Sequence, residues 1–170
     1  MNNKVIIKGS SNRNGNTQKV IEYLNKNNDF DVIDLLDKKI GQFDYDFKNH
    51  ADDFLPMMEK VTAQYDIIIF ATPVYWYSMS GIMKAFFDRL SDLLHYRKEL
   101  GRTLRGKSMA MISNSGMNDR KEGYDMPFRE SANYLGMAYL GDVHAWFDGS
   151  EIDADAKKII DTFRNQIDTH

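Results

Sequence analysis

Five short apolar segments alternate along this chain with segments in which apolar residues recur at helical spacing. We predict strands at Asn2–Lys8, Asp31–Leu35, Asp66–Ala71 and Ser108–Ser113, with a fifth within Met137–Phe147. The helical patterns predict helices at Asn16–Asn27 (capped by Asn16 or Thr17), Asp53–Gln64, Ser80–His95 and Pro127–Leu135, and a last helix capped by Asp153. Asp66–Ala71 is the most apolar of the strands, which favours the centre of a sheet.

Strands that alternate with helices form a parallel sheet, because each connection crosses back over the sheet through a helix. We therefore predict a doubly wound, three-layer α/β fold with a five-stranded parallel sheet in the order 2-1-3-4-5. In this order the winding reverses between the first and third strands, and a ligand is expected in the crevice beyond their carboxyl ends. A length of 170 residues suits a single domain, residues 1–170.

Composition excludes several classes of function. A formal net charge of −3 gives no gross attraction for nucleic acid or for an anionic membrane. No apolar run approaches the roughly 18 residues of a membrane helix, so we expect a cytoplasmic protein that binds neither nucleic acid nor membrane. The chain has no cysteine, which excludes disulfides, thiolate nucleophiles and cysteine-bound iron–sulfur clusters. Its four histidines lie far apart, and we expect no metal site.

The loop Gly9–Thr17 follows the first predicted strand and opens the first predicted helix. Such a loop directs unpaired backbone N–H groups and the positive end of a helix dipole at one point, which favours an anion such as phosphate. Serine, asparagine and threonine side chains add donors, and Arg13 adds a cation. The nucleoside-triphosphatase loop is absent, because five residues separate Gly9 from Gly15 and no lysine precedes Thr17. The dinucleotide fingerprint is absent as well, because Gly9 and Gly15 are the only glycines between the strand and the helix.

A second unusual loop, Thr72–Gly81, follows the third predicted strand and carries the consecutive aromatic residues Tyr75, Trp76 and Tyr77. In the predicted sheet both loops lie at the same crevice. A phosphate site beside an aromatic wall suits a ligand with a phosphorylated tail and a planar head, as in flavin mononucleotide (FMN). Two further segments have no clear assignment: residues 36–55 form an irregular crossover, and the basic segment Arg97–Lys107 is either a solvated loop or a contact for nucleotide phosphates.

With these two loops in place, the chain resembles the flavodoxin-like NAD(P)H-dependent FMN reductase family. The resemblance is carried by Gly9–Thr17, by Thr72–Trp76, and by Gly81, Lys84, Phe87, Asp88 and Arg89, within about residues 4–115. It implies a flavodoxin-like fold that binds FMN and uses NAD(P)H as co-substrate. Some relatives hold an iron–sulfur cluster on cysteines, a variant that this cysteine-free chain excludes.

The resemblance also implies roles for individual residues. The FMN phosphate would be bound by Ser10, Arg13, Asn16, Thr17 and Gln18. The ribityl chain and the ring would be lined by Pro73, Val74, Tyr75 and Trp76, with backbone amides near Trp76 and Tyr77 at the flavin N5 edge. The loop Ser113–Gly116 would contact the pyrimidine edge of the flavin. This role is implied by the position of the loop in the family more than by its sequence. No side chain is assigned as a catalytic acid or base.

The implied reaction transfers hydride from NAD(P)H to the flavin and then electrons to a flavin, quinone, azo or nitro acceptor, a small molecule bound on the same face. Relatives usually pair, so a homodimer is expected. Two alternatives remain open at this point. One is a flavodoxin-type electron carrier without its own NAD(P)H reaction, and the other is a cofactor-free interaction domain.

Overall fold

The computed structural model describes residues 3–27 and 29–170, and within them five parallel strands form one sheet. The strands are β1 (Lys4–Lys8), β2 (Asp31–Asp34), β3 (Ile67–Pro73), β4 (Ser108–Asn114) and β5 (Ala138–Ala145), in the order β2-β1-β3-β4-β5. The predicted fold and strand order are confirmed. Asn2, the first residue of the predicted first strand, lies outside the described residues. Every residue of β3 is buried, as its central position requires.

Helices cover both faces of the sheet. They are α1 (Asn16–Leu24), α2 (Phe54–Gln64), α3 (Gly81–His95), α4 (Lys98–Arg102), α5 (Met126–Leu135) and α6 (Ala154–Asp168). Residues of α1 and α6 pack in one apolar core, whereas residues of α2, α3, α4 and α5 pack in the other. The sheet therefore separates two cores, as a doubly wound fold demands. Among the described residues, no helix is both long and apolar enough to cross a membrane.

Several predicted boundaries were wrong by a few residues. Helix α1 ends at Leu24 rather than Asn27, and its cap position is Gly15 rather than Asn16 or Thr17. Strand β2 ends at Asp34, where the chain enters a short 3-10 helix, Leu35–Asp37. The short helix α4 and the two-stranded hairpin of β6 (Phe147–Asp148) and β7 (Glu151–Ile152) were not predicted, because segments of two to five residues carry almost no periodicity.

The irregular segment 38–53 is held to α3 by the buried guanidinium of Arg89. Arg89 bonds Asp52 (Nη1 to Oδ2, 2.5 Å) and the backbone oxygens of Gly41 and Asn49 in that segment. It also bonds Asp92 on its own helix (Nη2 to Oδ2, 2.8 Å). A guanidinium presents five donors in one plane, which suits it to bind several oxygens at once. The side chain of Arg89 therefore supplies hydrogen bonds to a segment that forms no backbone ladder of its own.

The basic segment Arg97–Lys107 lies away from the carboxyl ends of the strands. Helix α3 starts at the carboxyl edge of the sheet and delivers the chain to the amino edge, where Lys107 bonds the backbone oxygen of Tyr65 at 2.7 Å. Arg97 pairs with Glu59 and Glu99. The fold therefore places this segment at the edge opposite the crevice, where it does not contact the phosphates of a nucleotide bound in the crevice of the same chain.

Candidate functional site

Three loops meet at the carboxyl edge of the sheet, one after each of β1, β3 and β4. Together they enclose a cleft of about 360 Å³. The cleft is lined by Ser10, Asn12, Gly15, Asn16, Thr17, Pro73, Val74, Tyr75, Asn114, Ser115 and Gly116. The two loops singled out in the sequence therefore do converge on one place, as the reversal in winding direction predicted.

The loop after β1, Gly9–Gly15, is anchored against the start of α3. A side chain at Gly9 would place its Cβ 2.8–2.9 Å from side-chain atoms of Met83, so only glycine allows α3 to approach this closely. Ser80, the cap of α3, donates its hydroxyl to the Gly9 carbonyl at 2.6 Å. Ser80 also accepts from the Met83 N–H at 3.1 Å, so one hydroxyl both caps the helix and holds the loop.

Helix α1 presents its N-terminus to the cleft without a capping side chain. Its cap residue is Gly15, and no side chain of a described residue caps its first turn. Helices α2, α4 and α5 also lack a side-chain cap, whereas Ser80 and Asp153 cap α3 and α6, so it is the position of α1 at the cleft that sets it apart. The first N–H groups of a helix need an acceptor, and the helix dipole makes an anion the most favourable one. The hydroxyls of Ser10 and Thr17 and the amides of Asn12 and Asn16 lie at the same cleft.

Two predicted phosphate ligands have their side chains engaged elsewhere. Arg13 forms an ion pair with Asp37 at 2.6 Å, with both side chains about half exposed. The Gln18 amide accepts from Lys8 at 2.9 Å and donates to Glu22 at 3.0 Å. Neither residue lines the cleft.

The aromatic loop after β3 is a tight hairpin. Tyr75 and Ser78 exchange two backbone hydrogen bonds of 2.9 and 3.0 Å, and the residues between them, Trp76 and Tyr77, have φ of 50° and 63°. Bulky residues rarely adopt this left-handed conformation. It places Trp76 at the tip, 94% exposed, with Tyr77 67% exposed. The Tyr75 hydroxyl lies 3.2 Å from the Ser11 hydroxyl and so links this hairpin to the loop after β1.

The third loop is tied to both others through Asn114, the last residue of β4. Its side-chain oxygen accepts from the Thr17 hydroxyl at 2.8 Å, and its carbonyl accepts from the Val74 N–H at 2.8 Å. The role of Asn114 is not visible in the sequence, because its partners are 97 and 40 residues away along the chain.

A buried histidine supports the third loop from the adjacent strand. The two ring nitrogens of His144 lie 2.9 Å from the Ser113 hydroxyl and 3.1 Å from the Ser115 hydroxyl. Burial lowers the pKa of His144, because a charged imidazolium would lose its hydration there. Arg120, which pairs with Asp142 and also bonds Ser113, opposes protonation further. In the sequence His144 is one of four widely separated histidines, and its contacts with Ser113 and Ser115 are not visible there.

The structure thus brings together some of the predicted site residues and not others. Ser10, Asn16, Thr17, Pro73, Val74, Tyr75 and Gly116 line the cleft. Arg13 and Gln18 stand beside it, Trp76 and Tyr77 project at its rim, and Ser113 is buried behind it. Residues that line the cleft without having been assigned are Asn12, Gly15, Asn114 and Ser115.

The cleft fits a phosphorylated planar ligand. Within the described part of the chain, the lining residues supply hydroxyl, amide and backbone N–H donors and no carboxylate, so an anion meets no repulsion from the lining itself. Tyr75 adds an aromatic ring to the lining, and the volume lies in the range of roughly 300–1,000 Å³ typical of small-molecule sites. In residues 3–27 and 29–170 no group of three His, Asp or Glu side chains could hold a metal ion.

Comparison with known proteins points to one family. Residues 3–151 match the family model described as NADPH-dependent FMN reductase. A protein of Bacillus subtilis strain 168 that is named as an NAD(P)H-dependent FMN-containing oxidoreductase, YwqN, is 31% identical over 99 residues, which are 56% of this chain and 54% of that protein. The chain thus spans about half the length of this curated relative. An iron–sulfur flavoprotein of Clostridioides difficile strain 630 is 31% identical over 55% of this chain and 49% of that protein.

Solved structures share the fold at lower identity. The Trp repressor binding protein of Bacillus subtilis superposes with a TM-score of 0.74 at 24% identity, covering 96% of both chains. An FMN-dependent NADH-azoreductase of Bacillus anthracis superposes with a TM-score of 0.67 at 14% identity, covering 98% of this chain and 99% of that one. These likenesses agree with the predicted flavodoxin-like fold. On the family match, the chain belongs to the NADPH-dependent FMN reductase family, as its two loop motifs predicted, with FMN as the flavin of that family.

Proposed function

We propose that this protein is an FMN-dependent oxidoreductase that takes hydride from NAD(P)H and passes electrons to a small-molecule acceptor. The observation that carries the proposal is the cleft itself, where the uncapped N-terminus of α1 faces an aromatic hairpin across a lining without carboxylates. When bound there, FMN would supply the hydride-accepting ring.

The residues of the cleft divide by chemistry into three groups. Ser10, Asn12, Asn16 and Thr17, with the first N–H groups of α1, would bind the phosphate, while Arg13 and Gln18 act from beside it. Pro73, Val74 and Tyr75 would line the ribityl chain, and Trp76 and Tyr77 would border the ring. Ser113, Ser115 and Gly116 would hold the pyrimidine edge, Ser113 indirectly through His144.

The work of these residues is orientation and electrostatics. Backbone N–H groups near Trp76 and Tyr77 and in the Ser115–Gly116 loop are donors that favour negative charge on a bound ring. The hydrogen bonds between loops, Thr17 to Asn114 and Ser11 to Tyr75, keep these donors in place before the ligand arrives. We assign no side chain as a general acid or base.

The rim favours a flat acceptor. Trp76 is 94% exposed, and the adjacent Tyr77 is 67% exposed, so a planar molecule can stack beside them. Flavins, quinones, azo compounds and nitroaromatics share this shape. Structures with the same fold include an NADPH-quinone reductase of P. pentosaceus, at 19% identity, as well as the azoreductase. Both donor nucleotides are cytoplasmic, and we place the reaction there.

The test of this function is a visible absorption spectrum of the purified protein. After FMN is added and the excess removed, retained flavin is expected to bleach when NADH or NADPH is added without oxygen. Retained flavin that stays oxidised would instead identify a flavodoxin-type carrier. A protein that retains no flavin at micromolar concentration would contradict the proposal altogether. Acceptors are then compared by the rate at which each one restores the oxidised spectrum.

We also propose that the active form is a homodimer. Trp76, Tyr77 and Tyr134 expose 94%, 67% and 76% of their surface, and an apolar groove of about 410 Å³ runs between α3 and α5. Such exposed aromatic residues are typical of interfaces. Light scattering coupled to gel filtration is expected to give twice the chain mass. Tyr134→Glu, which places a charge beside the groove, is expected to shift the protein toward monomer; a monomeric parent protein would contradict the proposal.

A further inference from the structure

Lys8, the last residue of β1, places a buried charge beneath the loop after that strand. The residue is 1% exposed. Its Nζ donates to the Arg13 carbonyl at 2.7 Å, to Gln18 Oε1 at 2.9 Å and to Asp34 Oδ2 at 3.0 Å. Because an ammonium group has three N–H donors, all of them are engaged. Two of the three acceptors belong to the loop and to the first turn of α1.

The fold does not need a charge at this position. Lys8 continues the apolar run Val5–Ile7 and pairs in the sheet with Asp34 on one side and Ala71 on the other. A buried ion pair adds little net stability, since the loss of hydration offsets the attraction, and an apolar residue of similar volume is often as stable. An apolar side chain could not, however, bind a backbone carbonyl and a side-chain amide of the loop.

The contact with Arg13 sets the orientation of the loop. A trans peptide directs its C=O and its N–H to opposite sides. With the Arg13 carbonyl held toward the sheet by Lys8, the N–H of Asn14 points away from it, where Asn12 Oδ1 accepts it at 3.1 Å. Asn12 lines the cleft. The bond from Lys8 therefore orients the Arg13–Asn14 peptide, and the Asn14 N–H in turn holds the side chain of Asn12 at the cleft.

We propose that Lys8 is a positioning residue of this loop, which holds the donors of the loop in the arrangement that a phosphomonoester requires. Lys8 thereby sets the preference of the cleft for FMN over riboflavin, which lacks the phosphate. The inference rests on the proposed function, because it takes FMN as the ligand. It predicts a loss of discrimination between two flavins, rather than a general loss of binding or of folding.

The test compares the dissociation constants of FMN and riboflavin, measured by flavin fluorescence, for the parent protein and for Lys8→Met. The dissociation constant of FMN is expected to rise by about tenfold or more, as for loss of hydrogen bonds from a charged group, while that of riboflavin stays within about threefold. Arg164→Met is the matched control. Arg164 is also a buried cation, 6% exposed, but it bonds the Leu24 carbonyl and Asp29 at the far end of α1. This control is expected to lower stability and to leave the ratio of the two constants unchanged.

Lys8→Met leaves the half-buried carboxylate of Asp34 without its cation, so Lys8→Met/Asp34→Asn is measured as well. It removes both charges and keeps an acceptor for the Leu36 N–H, which Asp34 binds at 2.9 Å. If a folded variant keeps the parental ratio of the two constants, the proposal for Lys8 is overturned while the proposed function stands. If the parent protein binds neither flavin, the proposed function fails first. If the parent protein binds both flavins equally, the cleft has no phosphate site, and the proposed role of Lys8 is contradicted as well.

Discussion

His144 is held between two hydroxyl groups, and its charge state matters for the loop that it supports. Its ring contacts Ser113 behind the cleft and Ser115 in the lining, so a single side chain joins β5 to the loop after β4. In a neutral imidazole one nitrogen donates and the other accepts. Because the Ser115 hydroxyl donates to the Met117 carbonyl at 2.6 Å, Ser115 accepts from Nε2–H, and Nδ1 accepts from the Ser113 hydroxyl. An imidazolium would have two donors and a charge in a site that disfavours it.

The lowered pKa of His144 predicts how stability depends on pH. Since burial lowers the pKa in the folded state, the unfolded chain binds more protons below the ordinary histidine value of about 6.5, and stability should decrease as the pH falls through that value. The hydrogen bond to the Met117 carbonyl and the charges of Asp119 and Asp142 reduce this lowering of the pKa, whereas the charge of Arg120 adds to it. We expect the thermal midpoint to fall between about pH 7.5 and 5.5 in the parent protein.

Two histidine variants separate this effect from others. His144→Gln should lose most of the pH dependence over that interval, because the group that titrates is gone. His95→Gln, at the exposed end of α3, should keep it. Equal slopes for the parent and for His144→Gln, measured by circular dichroism, would show that another group is responsible.

At the scale of elements, the hairpin at the end of β3 holds two bulky residues in a strained conformation. Left-handed backbone costs about 1–2 kcal/mol for a residue other than glycine, and Trp76 and Tyr77 both adopt it. Asparagine followed by glycine is the pair that such two-residue turns favour. Trp76→Asn/Tyr77→Gly should therefore raise the free energy of unfolding by about 1–2 kcal/mol in urea titrations.

The same double variant should bind FMN more weakly, because it removes the aromatic border of the ring. Gain of stability with loss of binding would show that the strain serves the site. A free energy of unfolding equal to that of the parent would show that the hairpin is not strained. An unchanged affinity for FMN would show that Trp76 and Tyr77 do not border the flavin ring. The urea titration and the measurement of FMN binding are therefore made on the same preparation of the variant.

The link between α3 and the segment 38–53 depends on Arg89. Arg89→Met would leave the carboxylates of Asp52 and Asp92 without their cation, and one oxygen of Asp92 already has no hydrogen-bond partner among the described residues. Breaking a buried pair in this way is expected to reduce the free energy of unfolding by about 3–5 kcal/mol, measured by urea denaturation. Lys84→Ala breaks only an exposed pair on the same helix and should cost about 0.5 kcal/mol or less. A similar small loss for both variants would show that Arg89 does not hold the segment.

For the whole molecule, the two edges of the sheet have different roles. The cleft lies at the carboxyl edge, whereas the basic segment around α4 lies at the amino edge. Lys98→Ser/Arg102→Ser should therefore change the KM for NADH and for NADPH by less than about twofold. Salt screens the attraction between the charges of α4 and a nucleotide bound at the opposite edge of the sheet. Steady-state kinetics with both donors tests this. A rise confined to NADPH would show that α4 reaches the nucleotide, for example across a homodimer.

The parts of this protein that the sequence predicts well are those set by neighbouring residues. The apolar run Ile67–Ala71 and the helical spacing of Ile82, Phe86 and Leu90 are local patterns, and local patterns were enough for the sheet order and the two layers of helices. The loop Gly9–Thr17 is also contiguous, so its anion-binding character and its family could be recognised. Boundaries were less certain, since a helix end such as Leu24 depends on what it packs against.

Only the tertiary structure decided how the polar side chains are paired. Lys8 bonds Gln18 and Asp34, Arg89 bonds Asp52, and His144 bonds Ser113, at separations of 10 to 37 residues along the chain. Hydrogen bonds and ion pairs act over a few ångströms and have no periodicity, so a sequence does not show which of its many donors and acceptors meet. Arg13 and Gln18 illustrate this, because they belong to the anion-binding loop by sequence and are directed to Asp37 and Lys8 by the fold.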